Sequence, residues 1–425
     1  MILVLFYDSP DYTKRREGRI MKKWGSLLLV IIACLYFLGC AQDVGDAEVK
    51  EGGFFGSEVC GICHDKITAT WKTTAHSMVI QEISGPDDPI ILGDWDTPPD
   101  FTTKNPEGQM VHVTDLGSLE KEKVKLIHGV LWKQRYIYDD WEVQKFQWNI
   151  ADNFWAPYHY SDAKGPDWQK KCSYCHVTGF RHDDYSWAEL GIGCEACHGP
   201  GEKHVKARGL DRANTIYNPV KLPWHLASDI CGQCHTRGKS PDKKYDYPAG
   251  YEVGKRLVPS MFTIVGYDNR KAWWPSGAVK QHRQQYPEWI TSKHYYGGVS
   301  CTDCHTVHSQ ANRFSTKLAG NGLCLGCHPQ INTDSEFGHA PIKDAPQHSN
   351  CIACHMPSTG KSATVGDERT HTFRVIPPQM TIELGGGDVS KQPNSCNLCH
   401  YHKDHSLADL QARLDDAKKE LKSIE

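Results

Sequence analysis

The chain has 425 residues, of which 23% are charged and 39% hydrophobic, and its net charge is −3 at pH 7. The balance of 48 Lys and Arg against 51 Asp and Glu excludes the basic composition typical of nucleic-acid-binding proteins. The unusual feature is the content of 18 cysteines and 23 histidines, which indicates metal or cofactor binding.

The N-terminus has the pattern of an export signal. A basic start at residues 21–24 precedes an apolar run over residues 27–38, which is typical of a secretory signal peptide. The ending FLGC at residues 37–40 resembles a bacterial lipobox, in which the cysteine becomes the lipid-carrying first residue. An uncleaved anchor and cleavage to a soluble protein are the alternatives, and the apolar run is short for an anchor.

We therefore predict an upstream extension with a lipoprotein-type signal peptide at residues 1–39, followed by a linker at residues 40–52. The protein is then expected in the periplasm or on the cell surface, lipid-anchored at the outer membrane through Cys40. Without the first 39 residues the net charge becomes −6, from 42 Lys and Arg against 48 Asp and Glu. Basic redox proteins are therefore favoured as partners over nucleic acid.

The motif Cys-x-x-Cys-His occurs eight times in the remaining chain. This spacing is typical of c-type haem attachment, in which two thiols add to the haem vinyl groups and the histidine ligates the iron. Zinc ribbons also pair cysteines, but they do not require a histidine after every second one, and a disulfide framework does not explain the histidines. The motifs account for 16 cysteines and leave only Cys34 and Cys40. The predicted attachment residues are Cys60, Cys63 and His64; Cys172, Cys175 and His176; Cys194, Cys197 and His198; Cys231, Cys234 and His235; Cys301, Cys304 and His305; Cys324, Cys327 and His328; Cys351, Cys354 and His355; and Cys396, Cys399 and His400. We predict eight covalently attached haem c groups.

The spacing of the motifs divides the chain into two predicted modules of four motifs each, residues 53–235 and 236–405. The first module contains a long gap between motifs, in which aromatic and aliphatic residues alternate with polar ones from Trp132 to Trp148. This alternation, with Asp139-Asp140 at its middle, predicts a small β-hairpin.

The C-terminal segment, residues 406–425, is predicted to be a helix, because apolar residues recur at spacings of three and four. Ser406 and Asp409 form a plausible capping box at its start. The helix is expected either to dock on its own module or to pair weakly with a second subunit.

Fifteen histidines lie outside the motifs, against eight irons that each require a second axial ligand. His204 and His308 follow their nearest motifs too closely to reach the far face of the same haem. Each is therefore expected to ligate a neighbouring haem and to clamp two sites together. The seven predicted distal ligands are His76, His204, His294, His308, His339, His348 and His371.

The eighth distal position stays open among the candidates His128, His159, His225 and His282. Methionine is the alternative ligand. The chain outside the signal contains five methionines, and one of them directly follows a motif histidine. We therefore expect mostly bis-histidine ligation, which gives lower potentials than methionine–histidine ligation. The histidines expected to be solvated are His112, His182, His402 and His405.

Several strings of this sequence resemble the cytochrome c554 family. They are GSEVC at 56–60 with Trp71 and His76, GCEACHGPG at 193–201 with His204, SKHY at 292–295, CHMP at 354–357, RTHTFR at 369–374 and PNSC at 393–396. The resemblance implies stacked haem pairs in parallel and perpendicular arrangements, mostly bis-histidine ligation, and electron transfer. It extends to octahaem enzymes that reduce or oxidise nitrogen and sulfur oxyanions.

The expected fold is therefore a multihaem cytochrome c, mainly α and irregular coil wrapped around stacked haems, with the small β-hairpin in the first long gap. The expected function is electron transport in extracytoplasmic respiration, with other cytochromes, quinol-linked complexes or extracellular acceptors as partners. Two alternatives stay open. One is an octahaem oxidoreductase acting on nitrite, hydroxylamine or tetrathionate at one open haem, and the other is a subunit of an extracellular cytochrome filament. The enzyme requires an open iron in a pocket with proton donors, for which His159, His282, Lys203 and Tyr245 are spare residues. No catalytic residue is predicted.

Overall fold

The computed structural model describes residues 49–50, 52–115, 120–329 and 350–422. The predicted signal peptide, Cys34 and Cys40 lie outside these ranges, as do the predicted ligands His339 and His348. The division of the chain into two modules after residue 235 stays a prediction.

The helices are short and are separated by irregular chain. Their bounds are α1 Ser57–Cys63, α2 Asp65–Trp71, α3 Ala75–Met78, α4 Trp168–Lys171, α5 Cys194–His198, α6 Glu202–Lys206, α7 Trp224–Gly232, α8 Gln285–Trp289, α9 Lys293–Tyr296, α10 Cys301–Cys304, α11 Gly322–Leu325, α12 Cys351–His355, α13 Pro378–Gly385 and α14 Leu407–Lys422. Helices of one or two turns are unstable alone, so they depend on packing against the rest of the molecule. Within the described ranges, no helix combines the length and the apolar character needed to cross a membrane.

The strands form one five-stranded antiparallel sheet, ordered β1-β4-β5-β6-β7, and four two-stranded pairs. Their bounds are β1 Ile80–Glu82, β2 Phe101–Lys104, β3 Met110–Val113, β4 Val124–His128, β5 Lys133–Tyr138, β6 Val143–Asn149, β7 Phe154–Pro157, β8 Val177–Thr178, β9 Glu189–Leu190, β10 Gly238–Lys239, β11 Thr263–Ile264, β12 Gly360–Lys361 and β13 Val365–Glu368. The five-stranded sheet therefore fills the long gap between the first two motifs.

The predicted β-hairpin is confirmed as β5 and β6, which pair antiparallel across a turn that contains Asp139-Asp140. Trp141 closes this turn with a φ of 69°, in the left-handed region that bulky residues rarely occupy. The sheet is larger than the predicted hairpin because β4 pairs with β5 on one side and β7 pairs with β6 on the other.

The five-stranded sheet carries an apolar core on each face. Tyr136, Trp148 and Trp155 pack in one cluster, whereas Ile137 and Trp168 pack in the other. Successive residues of a strand point to opposite faces, which is why two neighbours in β5 enter different clusters. All five side chains are at most 4% exposed. This region therefore has a substantial core made of polypeptide alone.

The C-terminal helix α14 docks on α13 of the same chain. Leu410 is buried, and the backbone amide of Gln379 donates to the side-chain oxygen of Gln411 at 2.9 Å. The hydroxyl of Ser406 accepts a hydrogen bond from the amide of Asp409 at 3.1 Å, as the predicted cap requires. Docking on its own chain is thus observed, and pairing with a second subunit stays a prediction.

Candidate metal centres

The motifs place their cysteines and histidine on one side of a tight turn. In α5 and α12 all three motif residues lie within the helix, from Cys194 to His198 and from Cys351 to His355. Residues three and four apart project from the same side of a helix. All sixteen motif cysteines are free of disulfide bonds. Two sulfurs and one imidazole can therefore hold a single group.

Hydrogen bonds at Nδ1 fix the orientation of several motif imidazoles. The Nδ1 atom of His198 lies 2.7 Å from the carbonyl oxygen of Tyr217, and that of His305 lies 3.0 Å from the carbonyl oxygen of Phe314. His235 makes a similar contact to a side-chain amide at 3.3 Å. An Nδ1 that donates to an acceptor leaves the Nε2 lone pair free to bind a metal.

Five motif histidines face a second histidine across a nearly constant gap. The ring centroids are 6.1 to 6.4 Å apart in every case. The five histidine pairs are His64–His204, His235–His76, His198–His308, His328–His294 and His305–His371. The structure thus brings every predicted distal histidine within the described ranges opposite a motif histidine.

This gap is the size that one iron requires. Two metal–imidazole bonds of about 2 Å each, with the distance from each nitrogen to its ring centre, place two ring centroids roughly 6 Å apart. Nearby thiols supply the attachment points for a macrocycle. The donor set therefore fits a c-type haem held between two histidines.

His204 and His308 each stand beside one motif and face the histidine of another. His204 follows His198 by six residues but faces His64. His308 follows His305 by three residues but faces His198. Each short segment therefore contacts two neighbouring metal sites, in the arrangement that the spacing predicts.

A buried carboxylate positions the first of these clamps. Glu195 in α5 accepts hydrogen bonds from the backbone amides of Gly56 and Gly201, both at 2.7 Å, and it is 2% exposed. Gly56 precedes α1, which carries the first motif, and Gly201 precedes α6, which carries His204. The carboxylate thus holds His204 opposite His64.

Two other distal histidines, His76 and His294, lie on four-residue helices, each with a hydroxyl side chain at its N-cap. In α3 the hydroxyl of Thr74 accepts from the amide of Ser77 at 3.3 Å. In α9 the hydroxyl of Ser292 makes the equivalent contact at 3.2 Å. Both capping residues are buried. Because the cap satisfies a helix N–H that has no other partner, a helix of four residues can still present its histidine in a defined direction.

His371 is held by a second buried carboxylate. Glu288 of α8 accepts hydrogen bonds from the His371 amide at 2.6 Å, the Thr370 hydroxyl at 2.5 Å and the Val279 amide at 2.7 Å. Burial raises the pKa of Glu288 to about 8, although these hydrogen bonds act in the opposite direction.

The second motif has a different geometry. His176 faces His128 of β4 with ring centroids 4.0 Å apart and Nε2 atoms 3.1 Å apart. Two metal–nitrogen bonds of about 2 Å each require about 4 Å between the nitrogens, so the two rings stand too close to share an iron. Both Nδ1 atoms are buried without a hydrogen-bond partner. Burial, followed by the charge of Arg283, lowers the pKa of His176 to about 3, so its ring is neutral.

A cavity of about 1790 Å³ opens beside His176. Its wall includes cysteines of the second and fourth motifs, among them Cys172 and Cys231, together with His235. These are the residues that would hold haem there.

Several basic residues line this cavity, and we call four of them the cation cluster: Lys133, Arg135, Arg237 and Arg283. The guanidinium of Arg135 lies 3.6 Å from the ring centre of Tyr158, a cation–π contact. Sequence reasoning missed this cluster. One sequence feature could have indicated part of it: Lys133 and Arg135 are two residues apart in the predicted hairpin and therefore lie on one face of a strand.

The other candidates for the eighth ligand make different contacts, and the ring of His225 packs against Trp224. His159 makes an ion-pair contact with Asp162 at 2.7 Å. His282 lines the cavity, with its Nε2 atom 3.2 Å from Nη2 of Arg237. Of the four candidates, only His128 is seen in ring contact with a motif histidine.

Neighbouring motifs place their cysteines close together. Thiols are near enough for a side-chain interaction between Cys60 and Cys194, Cys175 and Cys234, Cys231 and Cys301, and Cys324 and Cys351. Thiols lie within electrostatic range between Cys197 and Cys231, Cys304 and Cys327, and Cys354 and Cys399. Motifs one, three, four, five, six, seven and eight therefore form a continuous series, and motif two joins it at motif four.

Comparison with known families gives two matches. Residues 140–199 match the family described as cytochrome c554 and c-prime, and residues 295–333 match the doubled CXXCH motif. The first match spans β6 and the second and third motifs, and the second match spans the fifth and sixth motifs. Together they cover less than a quarter of the chain.

Curated relatives match over longer segments of this chain than the family models do. The cytochrome c nitrite reductase subunit NrfA of Nitratidesulfovibrio vulgaris is 22% identical over 205 residues, which are 43% of this chain and 36% of the relative. The dissimilatory sulfite reductase MccA of Wolinella succinogenes is 21% identical over 295 residues, which are 58% of this chain and 38% of the relative. This chain thus spans less than two fifths of the length of either relative.

Among solved structures, the outer cell wall cytochrome OcwA aligns with a TM-score of 0.66 and 23% identity, over 87% of this chain and 88% of that chain. The likeness confirms the predicted fold: short helices and irregular chain, with small sheets, in the architecture of a multihaem cytochrome.

Proposed function

Because this chain is a multihaem c-type cytochrome that resembles the cytochrome c554 family, we propose that it carries electrons along a linked series of haems. The observation that supports this most directly is the set of five histidine pairs, each with an iron-sized gap. When bound, haem supplies the redox-active iron. At these five sites the chain would supply two imidazoles per iron, which leave no coordination position for a substrate.

The order of the sites supports a continuous route. Seven motifs follow one another through neighbouring thiols, and the clamps formed by His204 and His308 join motif three to motifs one and five. A carrier requires such fixed spacing, because transfer between sites depends on short distances within a rigid frame.

We further propose that all eight motifs carry haem c and that His339 and His348 complete two further irons. The eight motifs and the 15 histidines outside them support the count. Burial of porphyrin would add apolar contacts to the small core clusters of the C-terminal half, so folding would depend on haem insertion.

The proposed location is outside the cytoplasm, at the periplasm or the cell surface, with a lipid anchor at Cys40. The signal-like N-terminus supports export, and the lipobox-like ending supports lipidation. The partners are then other redox proteins or extracellular acceptors. The net charge of −6 after removal of the signal favours partners with a positive surface.

Three measurements test this proposal. A pyridine haemochrome assay should give eight haems per chain, and palmitate labelling should be lost in Cys40→Ala. The reduced protein should pass electrons to a second cytochrome but show no turnover with nitrite, hydroxylamine or tetrathionate. Steady consumption of any of these substrates would contradict the carrier proposal and show that the protein is an enzyme.

One observation favours the second candidate, an oxidoreductase acting on a nitrogen or sulfur oxyanion. The contact between His176 and His128 lacks the iron-sized gap of the five histidine pairs, and it borders a cavity lined by cations. If one iron is open to substrate, it is expected at His176. Appearance of a high-spin signal that nitrite removes, together with turnover, would favour this candidate.

A further inference from the structure

One irregular segment contributes to two of the metal centres at once. We call residues 306–316, which directly follow the fifth motif, the bridging loop. Its His308 faces His198 of the third motif, with ring centroids 6.1 Å apart. The carbonyl oxygen of Phe314 in the same loop lies 3.0 Å from the Nδ1 atom of His305 in the fifth motif. The position of this loop therefore affects the distal ligand at one site and the orientation of the motif imidazole at another.

The bridging loop also contacts the helix that supplies a ligand to the fourth motif. The side-chain oxygen of Gln310 accepts a hydrogen bond from the amide of Ala75 at 3.2 Å. Ala75 begins α3, the helix in which His76 faces His235. The third, fourth and fifth motifs are consecutive in the series of neighbouring thiols. One loop thus contacts segments that carry ligands for three consecutive sites of the proposed route.

Arg313 fastens the bridging loop to the five-stranded sheet. Its guanidinium lies 3.5 Å from the ring centre of Trp132, in the connection between β4 and β5. Its Nη2 atom donates to the carbonyl oxygen of Leu131 at 3.2 Å. The ring of Trp132 also packs against that of Phe314, with centroids 5.8 Å apart. The sheet therefore contacts the residue whose carbonyl oxygen faces His305.

Hydrogen bonds within the bridging loop join its parts into one unit. The side-chain oxygen of Asn312 accepts from the amide of Phe314 at 3.0 Å, and its side-chain nitrogen donates to the carbonyl oxygen of Thr316 at 2.9 Å. The hydroxyl of Ser315 donates to the side-chain oxygen of Gln310 at 3.0 Å. Because these bonds connect the loop to itself, a displacement at its contact with the sheet is passed along the loop.

We infer that Arg313 and Trp132 are positioning residues for the metal centres of the third and fifth motifs. Their contact holds the bridging loop so that His308 stays in place as a distal ligand. It also keeps the Phe314 carbonyl oxygen against the Nδ1 atom of His305, and an imidazole that donates through Nδ1 is a more basic ligand, which lowers the potential of its iron. The inference rests on the proposed function, because it assigns both residues a role toward haem.

The experiment compares the native haem-loaded protein with variants of this contact. Trp132→Ala removes the ring without a change of charge, Arg313→Ala removes the cation at an exposed position, and Trp132→Phe keeps an aromatic ring. Lys125→Ala is the matched control, because Lys125 is exposed and lies 4.6 Å from the ring centre of Trp141, in a cation–π contact of the same sheet that does not involve the bridging loop. The rate of cyanide binding to the oxidised protein is followed by visible and electron paramagnetic resonance spectra, and midpoint potentials are measured by potentiometric titration.

Trp132→Ala and Arg313→Ala should each show one additional fast phase of cyanide binding, at the haem that His308→Ala also opens. This phase should be roughly tenfold faster than in the native protein, because the lost contact favours local opening of the loop. In Trp132→Ala the midpoint potential of a second haem should rise, since His305 loses its hydrogen-bond acceptor. Trp132→Phe and Lys125→Ala should match the native protein in both measurements.

Native cyanide rates and native potentials in Trp132→Ala would overturn the inference. Equal acceleration at every haem would also overturn it, because general destabilisation would then explain the result. A potential that falls in Arg313→Ala while Trp132→Ala stays native would show that the charge alone acts, which contradicts a positioning role. The carrier proposal fails on a different observation, a native protein without low-spin irons that have two histidine ligands, so the two failures can be told apart.

Discussion

The five histidine pairs and the contact between His128 and His176 use the same side chain in two different settings. In the pairs, the distal histidine comes from a loop or a helix of four or five residues, and the rings stand 6.1 to 6.4 Å apart. At the second motif, the facing histidine is the last residue of strand β4, and the rings stand 4.0 Å apart. The first setting leaves an iron-sized gap and the second does not.

The surroundings of the two regions differ in the same way. Around His76, His204 and His371, capping hydroxyls and buried carboxylates fix the backbone. Around His176, the cavity wall includes residues of the sheet and the cation cluster. The five pairs leave a gap that the carrier proposal fills with haem iron, whereas the second motif lacks that gap.

The largest effect is expected from His204→Ala, which removes one member of a histidine pair. The iron held at His64, and not that of the adjacent motif at His198, should change from low to high spin, because it loses one of two strong axial ligands. Electron paramagnetic resonance should show one added high-spin haem. His112→Ala is the control, since His112 is exposed and contacts Asp100 at 2.7 Å. An unchanged spectrum for His204→Ala would show that the pair does not hold iron.

Trp168→Ala tests the polypeptide core on the side of the second motif. Trp168 is fully buried and stacks on Trp141 with ring centroids 5.9 Å apart. Its removal should destabilise the protein by about 3–5 kcal/mol through lost burial and a residual cavity, as measured by denaturant unfolding followed by circular dichroism. Tyr296→Ala, at a position that is 77% exposed, should change stability by less than about 0.5 kcal/mol. Equal effects of the two variants would mean that the sheet core does not support this region.

Glu368→Gln tests the charge balance of the cavity through pH. Burial raises the pKa of Glu368 from 4.5 to about 7, while Lys133 and Arg237 act to lower it and Asp367 to raise it. The folded state therefore binds more protons than the unfolded state between about pH 4.5 and 7, and stability falls as pH rises through this window. The variant should remove this fall, on the order of 1 kcal/mol, from a plot of unfolding free energy against pH. An identical pH profile in both proteins would contradict the assignment.

Ser292→Ala tests the capped helices that present the distal histidines. Loss of the cap should cost about 1 kcal/mol locally, so hydrogen exchange of the Tyr295 amide should rise roughly fivefold. The spin state should stay low because the axial bond to His294 persists. Ser260→Ala, at an exposed hydroxyl that contacts only the carbonyl oxygen of Arg256, should leave this exchange rate unchanged. Equal exchange rates in the two variants would show that the Ser292 cap does not stabilise the helix that carries His294.

Much of the histidine pairing follows from spacing along the chain. His204 and His308 are too close to their own motifs to reach the far face of the same haem, so a neighbouring site was predicted for each. The structure places them opposite His64 and His198. The hairpin could also be predicted from the sequence, because the alternation of apolar and polar residues that indicates it is local. The outer strands were not predicted, since β4 pairs with β5 through contacts that only the folded sheet supplies.

The full cation cluster could not be predicted from the sequence, for a physical reason. Arg237 and Arg283 are separated from Lys133 and Arg135 by about a hundred residues or more, and only the fold brings the two groups to one cavity. The role of these four cations also depends on whether carboxylates form ion pairs with them. No sequence pattern reports whether a charged side chain has a partner.

The most direct test of the central claim is a count of iron ligation states in the native, fully loaded protein. Near-infrared magnetic circular dichroism of the oxidised protein distinguishes irons with two histidine ligands from all others. The five histidine pairs predict that at least five of the eight irons are low-spin with two histidines. A count of four or fewer would contradict the claim that these pairs hold iron.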